Sequence, residues 1–157
     1  NKFSKKVNLV FETDLELMFP NNYINSSTER LNLYTQLNKI CELDELNSFK
    51  LELIDRFGTL PNVVVELLNS LKLRWLAAAL GFDKIVLKKN ILISYMMNFD
   101  SDGQKKKIDK LFEYSKLNPN SISFSQKKLA DGDRFIVKIK NIDSVSKAIK
   151  VLEDINT

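Results

Sequence analysis

Residues 61–96, PNVVVELLNSLKLRWLAAALGFDKIVLKKNILISYM, decide the fold class, because the hydrophobic period changes inside them. Pro61 suits the first turn of a helix and Gly81 suits its end. Between them Val64, Leu67, Leu68, Leu71, Trp75, Ala78 and Ala79 share one helical face, and Val63, Val65, Leu73, Leu76 and Leu80 spread around the rest. A helix this apolar is mostly buried, so it is expected to be the central helix. After Gly81 the runs Lys84–Lys88 and Ile91–Met96 are short and β-rich, and Lys89-Asn90 between them reads as a hairpin turn.

Upstream, Asp44 is the expected N-cap of a helix that Gly58 closes. Its core stripe is Leu46, Phe49, Leu53 and Phe57, with Ile54 flanking; Ser48, Glu52 and Asp55 fall opposite. Ser26-x-x-Glu29 is a capping box for an earlier helix carrying Tyr34, Leu37 and Cys41 on one stripe. Val7–Phe11 reads as a strand, extended by Leu15–Phe19 past a kink at Asp14 and ended by Pro20. Downstream, Ser101 or Asp102 caps a helix to about Leu117. Ile122–Lys128 and Arg134–Lys140 form a second hairpin around Asp131-Gly132, and Asp143 starts a last helix. The expected fold is α+β: three consecutive N-terminal helices packed with short antiparallel strands or hairpins and two further helices.

At 157 residues the chain fits one domain, expected over residues 1–157. It starts at Asn1 without Met and reads as a piece of something longer. With no histidine, histidine triads, histidine-ligated zinc and imidazole acid–base catalysis are excluded. One cysteine excludes an intramolecular disulfide and suits a reducing compartment. No apolar run approaches the ~18–20 residues of a membrane span, and no signal-peptide pattern precedes Val7. The net charge of +4 conceals an asymmetry: residues 12–66 carry ten acids and four bases, residues 67–157 seventeen bases and ten acids. Such a division points to a partner surface, a nucleic-acid surface or two facing halves.

Few residue groups suggest chemistry. Gly58, Gly81, Gly103 and Gly132 lie too far apart for a phosphate-cradling loop, so no ATP site is expected. Asn98–Gly103 imitates the start of a calcium loop, but Asn98 is neutral, Asp109 is short for the bidentate position and Lys105–Lys107 repel a cation. Metal ligands and catalytic residues are accordingly expected to be none. Cys41 reads as a packed thiol and Trp75 as core. Lys105, Lys106, Lys107, Lys110, Lys127, Lys128, Lys138 and Lys140 alternate with Phe112, Phe124 and Phe135, a pattern that fits a solvated face or a nucleic-acid surface. Glu52 and Arg56 form an i,i+4 pair worth a few tenths of a kcal/mol. Asp55, near a helix C-terminus, opposes the macrodipole and gains nothing from its own helix.

The order Phe19-Pro20-Asn21-Asn22-Tyr23-Ile24, Glu29-Arg30-Leu31 with Leu33-Tyr34, then Glu52-Leu53-Ile54-Asp55-Arg56-Phe57-Gly58 with Leu60-Pro61 resembles the C-terminal domain of bacterial transcription-repair coupling factors (the Mfd family). Leu73-Arg74-Trp75-Leu76-Ala77 and Leu80-Gly81 are similar too, and the resemblance covers residues 7–90. It implies a non-catalytic, autoinhibitory interaction domain of a cytoplasmic DNA translocase, which displaces stalled RNA polymerase and recruits nucleotide excision repair. ATP and Mg would serve motor domains elsewhere in that parent, leaving no cofactor here. The implied partner is the parent's N-terminal module, whose surface for the excision-repair damage-recognition subunit this domain would mask. RNA polymerase and DNA would be met through other domains, and no membrane is involved. The implied contact residues are Glu52, Asp55 and Arg56. The alternative is a nucleic-acid-binding accessory domain that uses the lysine-rich C-terminal half.

Overall fold

A computed structural model describes residues 8–157. Their elements are β1 (Val10–Thr13), α1 (Ser27–Lys39), α2 (Leu43–Phe57), α3 (Asn62–Ala79), β2 (Lys84–Lys88), β3 (Ile91–Met96), α4 (Asp102–Leu117), β4 (Ile122–Leu129), β5 (Gly132–Lys140) and α5 (Val145–Asn156). The chain divides into two compact units, one holding Glu16–Lys72 and the other Asn8–Leu15 with Leu73–Thr157.

In the first unit, Ser26 caps α1 by accepting the Glu29 amide at 3.2 Å, as the capping box predicts. Leu33 and Leu37 are its buried positions. Cys41 lies beyond the last turn of α1, not on its stripe, because Ile40 has already left helical geometry. α2 starts one residue before Asp44: Glu42 is the N-cap, its side chain not capping the first turn, and Asp44 and Glu45 occupy that turn, where the helix dipole favours them. Leu46, Phe49 and Leu53 are buried as expected, and Gly58 ends the helix at φ 89°, a conformation that suits glycine. Ile54 departs from the expected flank of the core: it is 39% exposed. Along α3, Val64, Leu67, Leu68, Leu73, Trp75 and Ala77 are buried, in agreement with the central-helix reading, while Ala79 is exposed.

The second unit contains one five-stranded sheet of order β1-β2-β3-β5-β4. Two corrections to the expected strands follow. First, β1 pairs parallel to β2, Val10 beside Lys84 and Thr13 beside Leu87, so the strands are not all antiparallel. Second, Leu15–Phe19 forms no strand: Asp14 ends β1 by accepting the Lys89 amide at 2.9 Å. Val7, expected in this strand, lies outside the described residues. The hairpin at Lys89-Asn90 is as expected, with φ 52° and 63°, the left-handed pair of a two-residue primed turn. The second hairpin turns one residue early, at Ala130-Asp131, with Gly132 already paired to Leu129. Ser101 caps α4 and Ser144, rather than Asp143, caps α5.

Cross-strand register sorts the side chains of the sheet. Phe124 and Phe135 lie on one face, where the Phe112 ring of α4 meets them at 5.0 and 6.3 Å. α4 is tied to the end of α3 by Gln104, whose side-chain amide donates to the Gly81 carbonyl at 3.1 Å and to that of Met97 at 3.0 Å.

Candidate interaction site

Glu52, Asp55 and Arg56 share one and a half turns at the end of α2, and the residues around them explain how that end is held. The Tyr23 hydroxyl donates to the carbonyls of Gly58, at 3.0 Å, and Leu53, at 3.3 Å, and its ring lies 5.8 Å from that of Phe57. Burial pushes the Tyr23 hydroxyl above its usual pKa. One residue on, the Ile24 carbonyl accepts from Arg30 at 2.7 Å. Phe19 is buried against Tyr34, ring centroids 4.8 Å apart, and its amide donates to the Tyr34 hydroxyl at 2.8 Å. The sequence marked Phe19, Tyr23, Arg30 and Tyr34 only as a familiar pattern. Physically they fasten the segment before α1 to α1 and α2.

The three predicted residues do not act alike. Arg56 is exposed but turned along the surface toward α1: it is ion-paired with Glu29, lies 3.7 Å from Glu52, and its guanidinium sits 4.8 Å over the Phe57 ring. The Glu52 side chain is half exposed. Asp55 is exposed and makes no ion pair among the described residues. Its position opposes the helix dipole, so its own helix gains nothing from this carboxylate.

Around Asp55 the surface is more apolar than the sequence suggested. Leu51 is 67% exposed and Ile54, as noted, is turned outward; both flank Asp55 on α2. On the other side of Glu52 lies a shallow concavity of about 440 Å³, lined by Gln36, Ile40, Asp44, Glu45, Phe49 and Glu52, among others. The outward side of α2 therefore grades from an apolar strip through Asp55 to an acidic hollow. Sequence reasoning missed Leu51 and Ile54 as surface residues. The available signal was the stripe itself, because Leu51 sits opposite Leu53 on the helical wheel.

The lysines and phenylalanines of the second half do not form one interleaved surface. Phe112, Phe124 and Phe135 cluster on the helix-covered face of the sheet, whereas Lys127, Lys138 and Lys140 stand on the opposite face by register. Asn98–Gly103 is used locally: Asn98 adopts φ 52°, and its carbonyl accepts from Ser101, the cap of α4. Cys41 is half-buried, its sulfur 3.7 Å from a Glu45 carboxylate oxygen.

The family model of the TRCF domain matches residues 13–117, about two thirds of the chain. The chain belongs to the TRCF domain family. Over 119 residues it is 29% identical to the transcription-repair-coupling factor of Rickettsia typhi, covering 74% of this chain and 11% of that protein. The Escherichia coli transcription-repair-coupling factor is 36% identical over 78 residues, covering 47% of this chain and 7% of that one. The chain thus spans about a tenth of the length of these relatives. In fold it is similar to a crystal structure of the C-terminal domain of transcription-repair coupling factor, with a TM-score of 0.63 at 14% identity over 96% of this chain and 94% of that one. The ELIDRFG block at Glu52–Gly58, which carries the acids described above, falls within the span matched by the TRCF model.

Proposed function

We propose that this TRCF domain is a non-catalytic, autoinhibitory interaction module within a cytoplasmic transcription-repair coupling factor, a DNA translocase that clears stalled RNA polymerase and recruits nucleotide excision repair. In this reading residues 1–157 form its C-terminal regulatory domain. The domain packs on the parent's N-terminal module and masks that module's surface for the damage-recognition subunit. ATP and Mg belong to the motor domains, and this domain itself needs no cofactor.

The observation that carries the reading is Asp55, an exposed carboxylate with no ion pair among the described residues, set against its own helix dipole and flanked by exposed Leu51 and Ile54. Apolar side chains beside an exposed acid suit an interface in which a basic group is desolvated on contact. Glu52, half exposed, contributes to the same contact. Arg56 acts by holding Glu52 and Glu29 in place, so it positions the surface rather than meeting the partner.

The test is the affinity between this domain and the parent's N-terminal module, read by calorimetry. Glu52→Lys with Asp55→Lys is expected to weaken it by about 30-fold or more, since truncating one member of a desolvated pair costs ~2–5 kcal/mol. The same change in the full-length protein should raise recruitment of the damage-recognition subunit before any polymerase is met. Unchanged affinity would reduce both acids to solvated surface charges.

A further inference from the structure

The sheet face opposite α4 is a basic surface that the interaction site on α2 does not use. Register places Lys84 and Lys88 of β2, Lys138 and Lys140 of β5, and Lys127 of β4 on this one face. Among the described residues, Glu12 of β1 is the acid that pairs with these lysines, 3.6 Å from Lys84 and 3.8 Å from Lys88. Arg134 shares the face but adds no positive charge to it: it is buried and pairs with two carboxylates, Asp83 at 3.2 Å and Asp131 at 2.9 Å. Lys127, Lys138 and Lys140 are exposed and make no ion pair among the described residues.

By register Ile91 and Ile93 of β3 separate the lysines of β2 from those of β5, so the polar groups that suit a phosphate backbone gather on the β4–β5 side of this face. Ser123 lies directly beside Lys138 and Ser125 precedes Lys127 on the same face of β4, both serines exposed, so two hydroxyl donors accompany the ammonium groups of β4 and β5. Tyr95, in the row of Lys84 and Ile136, presents its ring on the same face, with the Lys84 ammonium 5.5 Å from its centroid. Lysines and hydroxyls are the groups that hold phosphate oxygens, and a half-exposed ring is a platform for a sugar or base. Lys138 and Lys140 stand about 7 Å apart along one strand, closer than a Debye length of ~10 Å, so their potentials add.

We propose that this open sheet face binds the phosphate backbone of nucleic acid, independently of the α2 surface. Fluorescence anisotropy of the whole chain with a labelled 30-base single strand and the matching duplex, from about 50 to 200 mM salt, tests it. Binding to at least one of them is expected, with a log–log salt slope that falls by about 0.7 for each lysine removed on the single strand or 0.9 on the duplex. Lys127→Glu, Lys138→Glu and Lys140→Glu together should weaken binding at least tenfold with an unchanged melting profile. Reversing Lys105, Lys106 and Lys147, which lie on α4 and α5, makes the same change in net charge and should cost less than threefold. Three results overturn the proposal: no binding to either nucleic acid at low salt, equal losses from the two triple variants, or tighter binding to polyglutamate than to both oligonucleotides. The last would assign the face to an acidic protein partner.

Discussion

Arg56 near the end of α2 is ion-paired with Glu29 in the first turn of α1, while its neighbour Asp55 is exposed and makes no ion pair among the described residues. Two adjacent charges in one motif therefore serve different purposes. An exposed pair contributes ~0–1 kcal/mol and a cation over an exposed ring ~0.5–1 kcal/mol. Arg56→Ala should accordingly lower unfolding stability by about 1 kcal/mol in a urea melt. A double-mutant cycle with Glu29→Gln should return a positive coupling energy below ~1 kcal/mol. Affinity for the N-terminal module should fall less for Arg56→Ala than for Asp55→Lys; the reverse order would make Arg56 the contact residue.

Trp75 is only 5% exposed in α3. Trp75→Ala removes a large apolar side chain from a packed site and is expected to cost ~3–5 kcal/mol, a large share of a domain stability of about 5–15 kcal/mol. Denaturant unfolding followed by circular dichroism reads this directly. An unchanged midpoint would mean that the indole does not carry core packing.

Gly81 combines φ +93° with a near neighbour: a Cβ there would collide with the Gln104 side-chain oxygen. Gly81→Ala is expected to destabilise by more than ~1 kcal/mol from the left-handed backbone alone, with the steric conflict added. In a Gln104→Ala background the further cost of Gly81→Ala should shrink, because the colliding group is gone. Equal costs in the two backgrounds would leave only the backbone term.

Alkaline pH should loosen the first unit through Tyr23. Its pKa is raised from 10.0 by burial, so the folded chain holds the phenolic proton more tightly than the unfolded chain does. Stability from this group is therefore intact below about pH 10 and is lost as pH rises through the folded pKa. The same ionisation removes the hydroxyl that donates to Gly58 and Leu53. Between about pH 9 and 11, melting of Tyr23→Phe should fall less steeply than wild type, and parallel slopes would exclude Tyr23 as the titrating group.

Elements with strong local signals were legible in the sequence. The Ser26 cap, the Gly58 stop, the Lys89-Asn90 turn and the buried stripe of α2 each follow from a few neighbouring residues, and all are where periodicity and turn chemistry place them. The parallel pairing of β1 with β2 was not legible, since Val10 and Lys84 are 74 positions apart and nothing local to either encodes the other. Ile54 was misread for a related reason: a helical wheel ranks positions by hydrophobicity, and an apolar residue held outward looks like core. For the candidate site, Asp55 could be singled out from its place near a helix end. That Arg56 turns to Glu29 required knowing how α1 lies against α2.

The β1–β2 pairing has a kinetic consequence. The two hairpins, β2–β3 and β4–β5, join strands separated by two residues each and can form within microseconds once their turns are set. β1 can add to this sheet only after a loop of roughly seventy residues has closed, and such distant contacts come slowly because their entropy is lost before any pairing compensates it. β1 is therefore expected to dock late. In the unfolded chain that closure depends only weakly on length, because doubling a loop's length adds only about 0.6 kcal/mol. Lengthening the short connection between α2 and α3 should thus slow the arrival of the edge strand far less than it lengthens the chain.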